Sequence, residues 1–354
     1  MIKQILKRCY HKWVEYRQRK MYCVDESKNM SCIELDSLTN EEKKEIWDLW
    51  NPIIKKKYTL YHQMFKTLSH FDARFVSDEY YYPIIVRGLN PLSSAVAFEH
   101  KAYYPLVYRD IPQPKFFVNR INGIWYDSEY RIISKENAFD ILKSCQQFII
   151  KPTHDSCQGK NVKKISSNDS RLEEFVNEYG DDFIAQEVLQ QCDITARFNP
   201  SSLNSFRLTT LNINGEVSLC TILFRCGQGD ICVDNGGAGG LMAGVSENGA
   251  MTEYAYDKNY KRFVSTKNGV KFGDVLVPNM ANVVDSVLSW HSKYMIHSGI
   301  VGWDIAIDKN NRPVMIEVNL QYPGIQFEQL CIGRPLFGDR TREVIEYVLK
   351  KKTK

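Results

Sequence analysis

The chain has 354 residues, 44% of them hydrophobic and 25% charged, with a formal net charge of +4. That is a globular composition with ample length for a buried core, enough for one large or two to three ordinary domains. No run approaches the roughly 18 uninterrupted apolar residues of a membrane span. No apolar leader opens the chain, so secretion is not expected, and the near balance of charge argues against a surface built for nucleic acid.

The charge is uneven. Residues 1–23 carry Lys3, Lys7, Arg8, Lys12, Arg17, Arg19 and Lys20 against Glu15, a net +6 that leaves −2 for the rest. Ile2, Ile5, Leu6, Cys9, Trp13 and Tyr16 recur at helical spacing, predicting a basic amphipathic helix. Such a helix can lie on an anionic membrane or pack on the body with its basic face solvated. Residues 24–36 read as a connector. Thr39 with Glu41 and Glu42 then caps a helix that ends before Asn51-Pro52. A second helix runs to about Leu68, followed by an irregular aromatic stretch around Tyr80, Tyr81, Tyr82 and Pro83. Residues 1–94 are therefore expected to form a helical N-terminal region.

From Ala95 the pattern changes. A helix is expected from Phe98 through Glu99, His100 and Lys101 to Arg109-Asp110, then a strand from Lys115 to Arg120. Asn122-Gly123 predicts a hairpin turn returning as Ile124-Trp125-Tyr126. A helix over Lys135–Cys145, a strand over Phe148–Lys151, a polar loop to Lys160, a helix around Ser170–Tyr179 and a strand over Phe183–Gln186 follow. Strands from Phe206 to Ile213 and Val217 to Arg225 flank the turn Asn214-Gly215, and a glycine-rich segment begins at Asp234. Met280, Val283, Val284, Val287 and Leu288 mark an amphipathic helix, with Gly299 expected as its C-cap. Helices and partly hairpin-paired strands in this order predict an α+β fold rather than a doubly wound sheet. None of the ten cysteines forms a C-x-x-C pair, which suits reduced thiols in a cytoplasmic protein. The even spacing of Cys220, Cys226 and Cys232 suits strand positions better than zinc ligands.

The last hairpin, Val301–Asn319, carries the clearest chemistry. A turn centred on Asn310-Asn311 sets Asp304 opposite Glu317, and Asn319 shares their face because strand side chains alternate. Two carboxylates about 5 Å apart need a cation or a shared proton. With the Asn319 amide oxygen they form a hard donor set suited to Mg²⁺. A terminal helix around Thr341–Leu349 closes the chain.

His100-Lys101, Ile149-Ile150-Lys151-Pro152, Gln186-Glu187-Val188-Leu189, and Asp304 with Glu317-x-Asn319 follow one another in an order that resembles the ATP-grasp superfamily. Ser202 to Arg207, Val233-Asp234-Asn235 with Gly239-Gly240, and Gly302-Trp303-Asp304 resemble the sugar-transfer associated ATP-grasp family in particular. The resemblance spans roughly residues 38–345. It implies two α+β subdomains sandwiching ATP, 95–189 as the lid and 190–354 as the metal-bearing half. Lys101 and Lys151 would meet the α- and β-phosphates, and Thr153 to Lys160 would be the phosphate-covering loop. That loop is poorer in glycine than such loops usually are, so side chains of Ser156, Gln158 and Lys160 beside Gly159 would contribute contacts. Gln186, Glu187, Val188 and Leu189 would pair with the adenine edge, and Asp193 would face the ribose hydroxyls or serve as a turn or helix cap. Arg207 and Arg225 would brace the γ-phosphate, while Asp234, Asn235, Gly239 and Gly240 would form the acceptor pocket or a plain glycine-rich turn.

The activity implied is ATP-dependent carboxylate–amine ligation through an acyl phosphate. Its partners would be a carboxylate acceptor such as a sugar acid, an amine donor and ATP with Mg²⁺, in a cytoplasmic protein of surface polysaccharide synthesis that can touch the membrane or glycosyltransferase machinery. Phosphotransfer to a sugar or alcohol, and nucleotide binding without catalysis at a membrane, are the competing classes.

Overall fold

The computed structural model describes residues 13, 17, 30–55, 57–154, 161–229 and 239–352. The expected basic helix, apart from Trp13 and Arg17, lies outside them, as do Ser156, Gln158, Gly159, Lys160, Asp234 and Asn235. No helix among the described residues is long and apolar enough to cross a membrane.

The fold is α+β, built on two antiparallel sheets. The smaller has the order β3-β2-β1-β6-β4-β5. It comprises β1 (Phe116–Ile121), β2 (Ile124–Asp127), β3 (Ile132–Ile133), β4 (Gln147–Pro152), β5 (Lys163–Ser166) and β6 (Phe183–Gln186). Helix Lys135–Ser144, capped by the Ser134 hydroxyl, buries Ala138, Phe139 and Leu142 against it. The turn at Asn122-Gly123 forms as its sequence requires, both residues having positive φ.

The larger sheet has the order β11-β10-β9-β8-β7-β12-β13. It comprises β7 (Ser205–Ile213), β8 (Glu216–Cys226), β9 (Leu241–Val245), β10 (Met251–Tyr256), β11 (Arg262–Phe263), β12 (Ile300–Ile307) and β13 (Pro313–Asn319). Helix Met280–Tyr294 packs Met280, Val283, Val284 and Val287 into one core with Trp303, Ile305 and Ile307. A buried relay fixes that face. Trp303 Nε1 donates to Thr210 Oγ1, Thr210 Oγ1 lies 2.6 Å from His291 Nδ1, and His291 Nε2 lies 3.0 Å from the Ser298 carbonyl. With Trp303 held inward, strand alternation turns Asp304 to the opposite face.

The N-terminal helices cover another part of this sheet. Helix Asn40–Trp50 starts at a full capping box between Thr39 and Glu42, as the sequence leads one to expect. Trp50, Tyr80, Tyr81, Ile84 and Ile85 share a core with Leu211, Ile300 and the terminal helix Thr341–Lys352. Asn90, buried between them, is fully satisfied. Its amide nitrogen donates to the Ile300 and Leu320 carbonyls, and its oxygen accepts from the Gly299 and Ile300 amides.

Local expectations fail in four places. The aromatic stretch is helical: Ser77 caps Asp78–Tyr80, which continues as a π-helix over Tyr81–Val86 and as Arg87–Leu89. A wide π turn accommodates Pro83, whose missing N–H would leave a gap in an α ladder. The helix expected from Phe98 instead spans Leu92–Glu99 and breaks at His100, because the Lys101 amide donates to the Thr153 carbonyl at 2.9 Å. Gly299 is no C-cap, since Met295 ends the helix. It is needed for close approach, because a Cβ there would lie 2.9 Å from the Leu89 carbonyl oxygen. Strands β9 to β11 are not anticipated, as Gly244 interrupts the first and exposed residues dilute the alternation of the second. Cys220 and Cys226 are strand residues of β8, buried in different cores.

Candidate active site

A cleft of about 730 Å³ lies between the two sheets. Its floor is one face of the larger sheet. On β12 and β13, Asp304 pairs with Glu317 and Gly302 with Asn319, the register expected from the hairpin alone. Ile316 is the extra residue of a β-bulge, so Met315 turns into the core while Ile316 lines the cleft beside Glu317. The next strand inward, β7, sets Arg207 directly opposite Asp304, and Arg225 on β8 pairs with Ser205. Glu317, Asp304 and Arg207 thus form a row across three neighbouring strands.

Asp304 is buried and shared by two guanidiniums. Arg207 Nε donates to Oδ1, and Arg207 Nη2 donates to Oδ2 at 3.0 Å. Arg225 Nη2 also lies 3.0 Å from Oδ2 and donates to Ser205 Oγ at 2.8 Å. Burial by itself would raise the Asp304 pKa, but the two arginines outweigh it and hold the carboxyl well below its ordinary value. Arg207 Nη1 donates to the Pro323 carbonyl at 3.0 Å.

The wall opposite supplies two buried ammoniums. Lys101 is 3% exposed and its Nζ lies 2.8 Å from Glu317 Oε1. Lys151, in β4 of the smaller sheet, is 7% exposed, and burial together with the nearby Lys101 charge lowers its pKa from 10.5 to about 8. It has no ion-pair partner among the described residues. A buried ammonium left unpaired is suited to an incoming phosphate.

Beyond β6 the chain forms the cleft's edge through Gln186 to Gln191. Glu187 is tied to Lys115 twice: its amide donates to the Lys115 carbonyl and its carboxylate accepts from the Lys115 amide, each at 2.8 Å. Val188 and Leu189 make no backbone hydrogen bond among the described residues, leaving their peptide groups for a planar heterocycle.

Of the expected site residues, the cleft gathers Lys101, Lys151, Gln186, Glu187, Val188, Leu189, Arg207, Arg225, Asp304, Glu317 and Asn319. Asp193 is not among its lining residues; it is exposed at the start of the helix Asp193–Ala196. Gly239 and Gly240 lie just before β9 and do not line it either. Lining residues that the sequence reading missed include Glu99, Lys164, Gln191 and Tyr322, while His154 belongs to the segment expected to cover the phosphates. Glu99 fixes the segment after β13, accepting from the Gln321 amide at 2.9 Å and from its side chain at 2.6 Å. Two carboxylates and the Asn319 amide on one sheet face fit a hard divalent cation by donor chemistry.

A family model described as sugar-transfer associated ATP-grasp matches residues 87–344. Among solved structures, an L-amino acid ligase from Bacillus licheniformis is similar at 15% identity and a TM-score of 0.43, over 72% of this chain and 48% of that one. D-alanyl-alanine synthetase A from Vibrio cholerae gives 11% and 0.42, over 73% and 66%. The VanG D-Ala:D-Ser ligase from Enterococcus faecalis gives 13% and 0.43, over 73% and 63%. The chain spans about half the length of the Bacillus ligase. A search of curated proteins returns no match.

Proposed function

The chain belongs to the sugar-transfer associated ATP-grasp family, and from that premise we propose that it is an ATP- and Mg²⁺-dependent carboxylate–amine ligase. The observation that carries the reading is the row Glu317–Asp304–Arg207, facing the Lys101 and Lys151 ammoniums in one cleft. Asp304, Glu317 and Asn319 would hold Mg²⁺, which when bound supplies charge neutralisation at the nucleotide phosphates. Lys151 and Lys101 bind the phosphates, and the peptide groups of Val188 and Leu189 bind the adenine edge. The acceptor carboxylate attacks the γ-phosphoryl group, giving ADP and an acyl phosphate; the amine then displaces inorganic phosphate.

Arg207 and Arg225 would stabilise the charge that accumulates on the transferring phosphoryl group, by position rather than by proton transfer. No protein nucleophile is required. The family's association with sugar transfer favours a sugar acid as acceptor, in a cytoplasmic step of surface polysaccharide assembly.

Replacement Glu317→Gln tests the assignment. It should abolish Mg²⁺-dependent ATP turnover while the variant melts like the parent; unchanged turnover would overturn the role given to Glu317.

A further inference from the structure

Glu328 lies outside the row just described, in the helix Gln326–Ile332, and is 6% exposed. Beyond its own backbone amide, its side chain has no ion-pair or hydrogen-bond partner among the described residues. Burial raises its pKa, against the nearby Arg207 charge. Isolated buried carboxylates are costly and persist where a cation can reach them.

The cation is close. Gly324 has φ +91, and a Cβ built on it would lie 2.0 Å from Glu328 Oε1 and 3.2 Å from Arg207 Nη1. The carboxylate and the guanidinium are therefore within about 5 Å of each other, separated by a residue without a side chain. Arg207 stands between two buried acids, with Nε and Nη2 on Asp304 and its Nη1 edge toward Glu328. The setting is rigid around it. Gln326 Nε2 donates to Asp78 Oδ2 at 2.8 Å and Gln329 is locked to Val76, so the helix bearing Glu328 is anchored on both sides.

We propose that Arg207 has two docking carboxylates, and that Glu328 receives its guanidinium when Asp304 turns its oxygens to a divalent cation. Guanidinium contacts take one acceptor site on Asp304 Oδ1 and both on Oδ2, so a cation held through both oxygens displaces at least one guanidinium. Arg225 has Ser205 as a second acceptor. For Arg207 the second acceptor of matching charge is Glu328. Glu328 is thus a positioning residue: it keeps Arg207 compensated inside the protein while leaving it beside the cleft. The inference rests on the reading of Asp304 as a cation ligand.

The test is calorimetric titration of Mg²⁺ into the full chain with ADP, read as the Mg²⁺ concentration at half-saturation, with melting temperature and metal-free ADP binding measured alongside. Glu328→Gln should raise the Mg²⁺ midpoint about ten- to a hundredfold, as loss of a residue supporting a metal ligand does. Melting and metal-free ADP binding should change little, and Glu328→Asp, which keeps the charge, should restore part of the loss. A parental midpoint in both variants would overturn the proposal. So would losses that follow the melting temperature and metal-free binding together, which would make Glu328 structural only. Asp304→Asn separates the two levels: an unchanged midpoint there would sink the cation-ligand reading itself.

Discussion

Lys101 Nζ lies 2.8 Å from Glu317 Oε1, joining the segment just after the N-terminal helices to the last strand of the larger sheet. The lysine is held independently by its backbone, whose amide donates to the Thr153 carbonyl next to Lys151. One residue therefore connects both walls of the cleft. Lys101→Met should leave Glu317 uncompensated and remove a phosphate contact, weakening ADP affinity about tenfold, or roughly 1.4 kcal/mol. Calorimetric titration with ADP checks this, and unchanged affinity would remove Lys101 from the nucleotide site.

Lys151 gives a pH signature. Burial and the Lys101 charge lower its pKa to about 8, so the free protein loses this ammonium as pH rises through that value. Phosphate binding favours the charged form, so ADP affinity should be constant at lower pH and fall above pH 8 by up to about tenfold per unit. Lys151→Met should bind weakly and lose the inflection. Binding measured from pH 7 to pH 9.5 that shows the inflection in the variant would assign it elsewhere.

Asp78 makes the opposite kind of statement, about stability. Burial raises its pKa from 3.8 to about 7, against the hydrogen bond from Tyr61. Between these values the unfolded chain has released a proton that the folded protein retains, so this group's contribution to stability is present at low pH and is lost as pH rises toward 7. Asp78→Asn removes the titration. Its stability relative to the parent should improve from pH 5 to pH 8 by on the order of 1–3 kcal/mol. Melting curves at the two pH values read this directly, and a constant difference would contradict it.

Gly302 tests the packing behind the site. It shares the cleft face of β12 with Asp304, and a Cβ there would lie 2.5 Å from the carbonyl oxygen of Pro323. That carbonyl also accepts from Arg207. Gly302→Ala should cost about 1–3 kcal/mol of stability from overpacking and lower kcat by displacing Arg207. A variant of parental stability and rate would show that the Pro323 segment yields freely.

How much was legible in the sequence depended on the range of each interaction. The pairing of Asp304 with Glu317 is set by a tight turn, so local pattern was enough, although the bulge at Ile316 was not visible. That Arg207 faces Asp304 depends on pairing between strands almost a hundred residues apart, which no periodicity encodes. Thr39 and Glu42 announced their helix because a capping box is local chemistry. The break at His100 was hidden because the carbonyl taking the Lys101 amide belongs to Thr153. Glu328 left one faint signal, an acid set among Phe327, Leu330 and Cys331, whose meaning appears only when Gly324 brings it beside Arg207.

The central claim is ligation, and the most direct measurement is ADP and phosphate release with Mg²⁺ against paired panels of sugar acids and amines. Release should require one member of each panel and yield an amide with free phosphate. Release with a sugar or alcohol alone, leaving a stable phosphorylated product, would contradict ligation and make the protein a phosphotransferase.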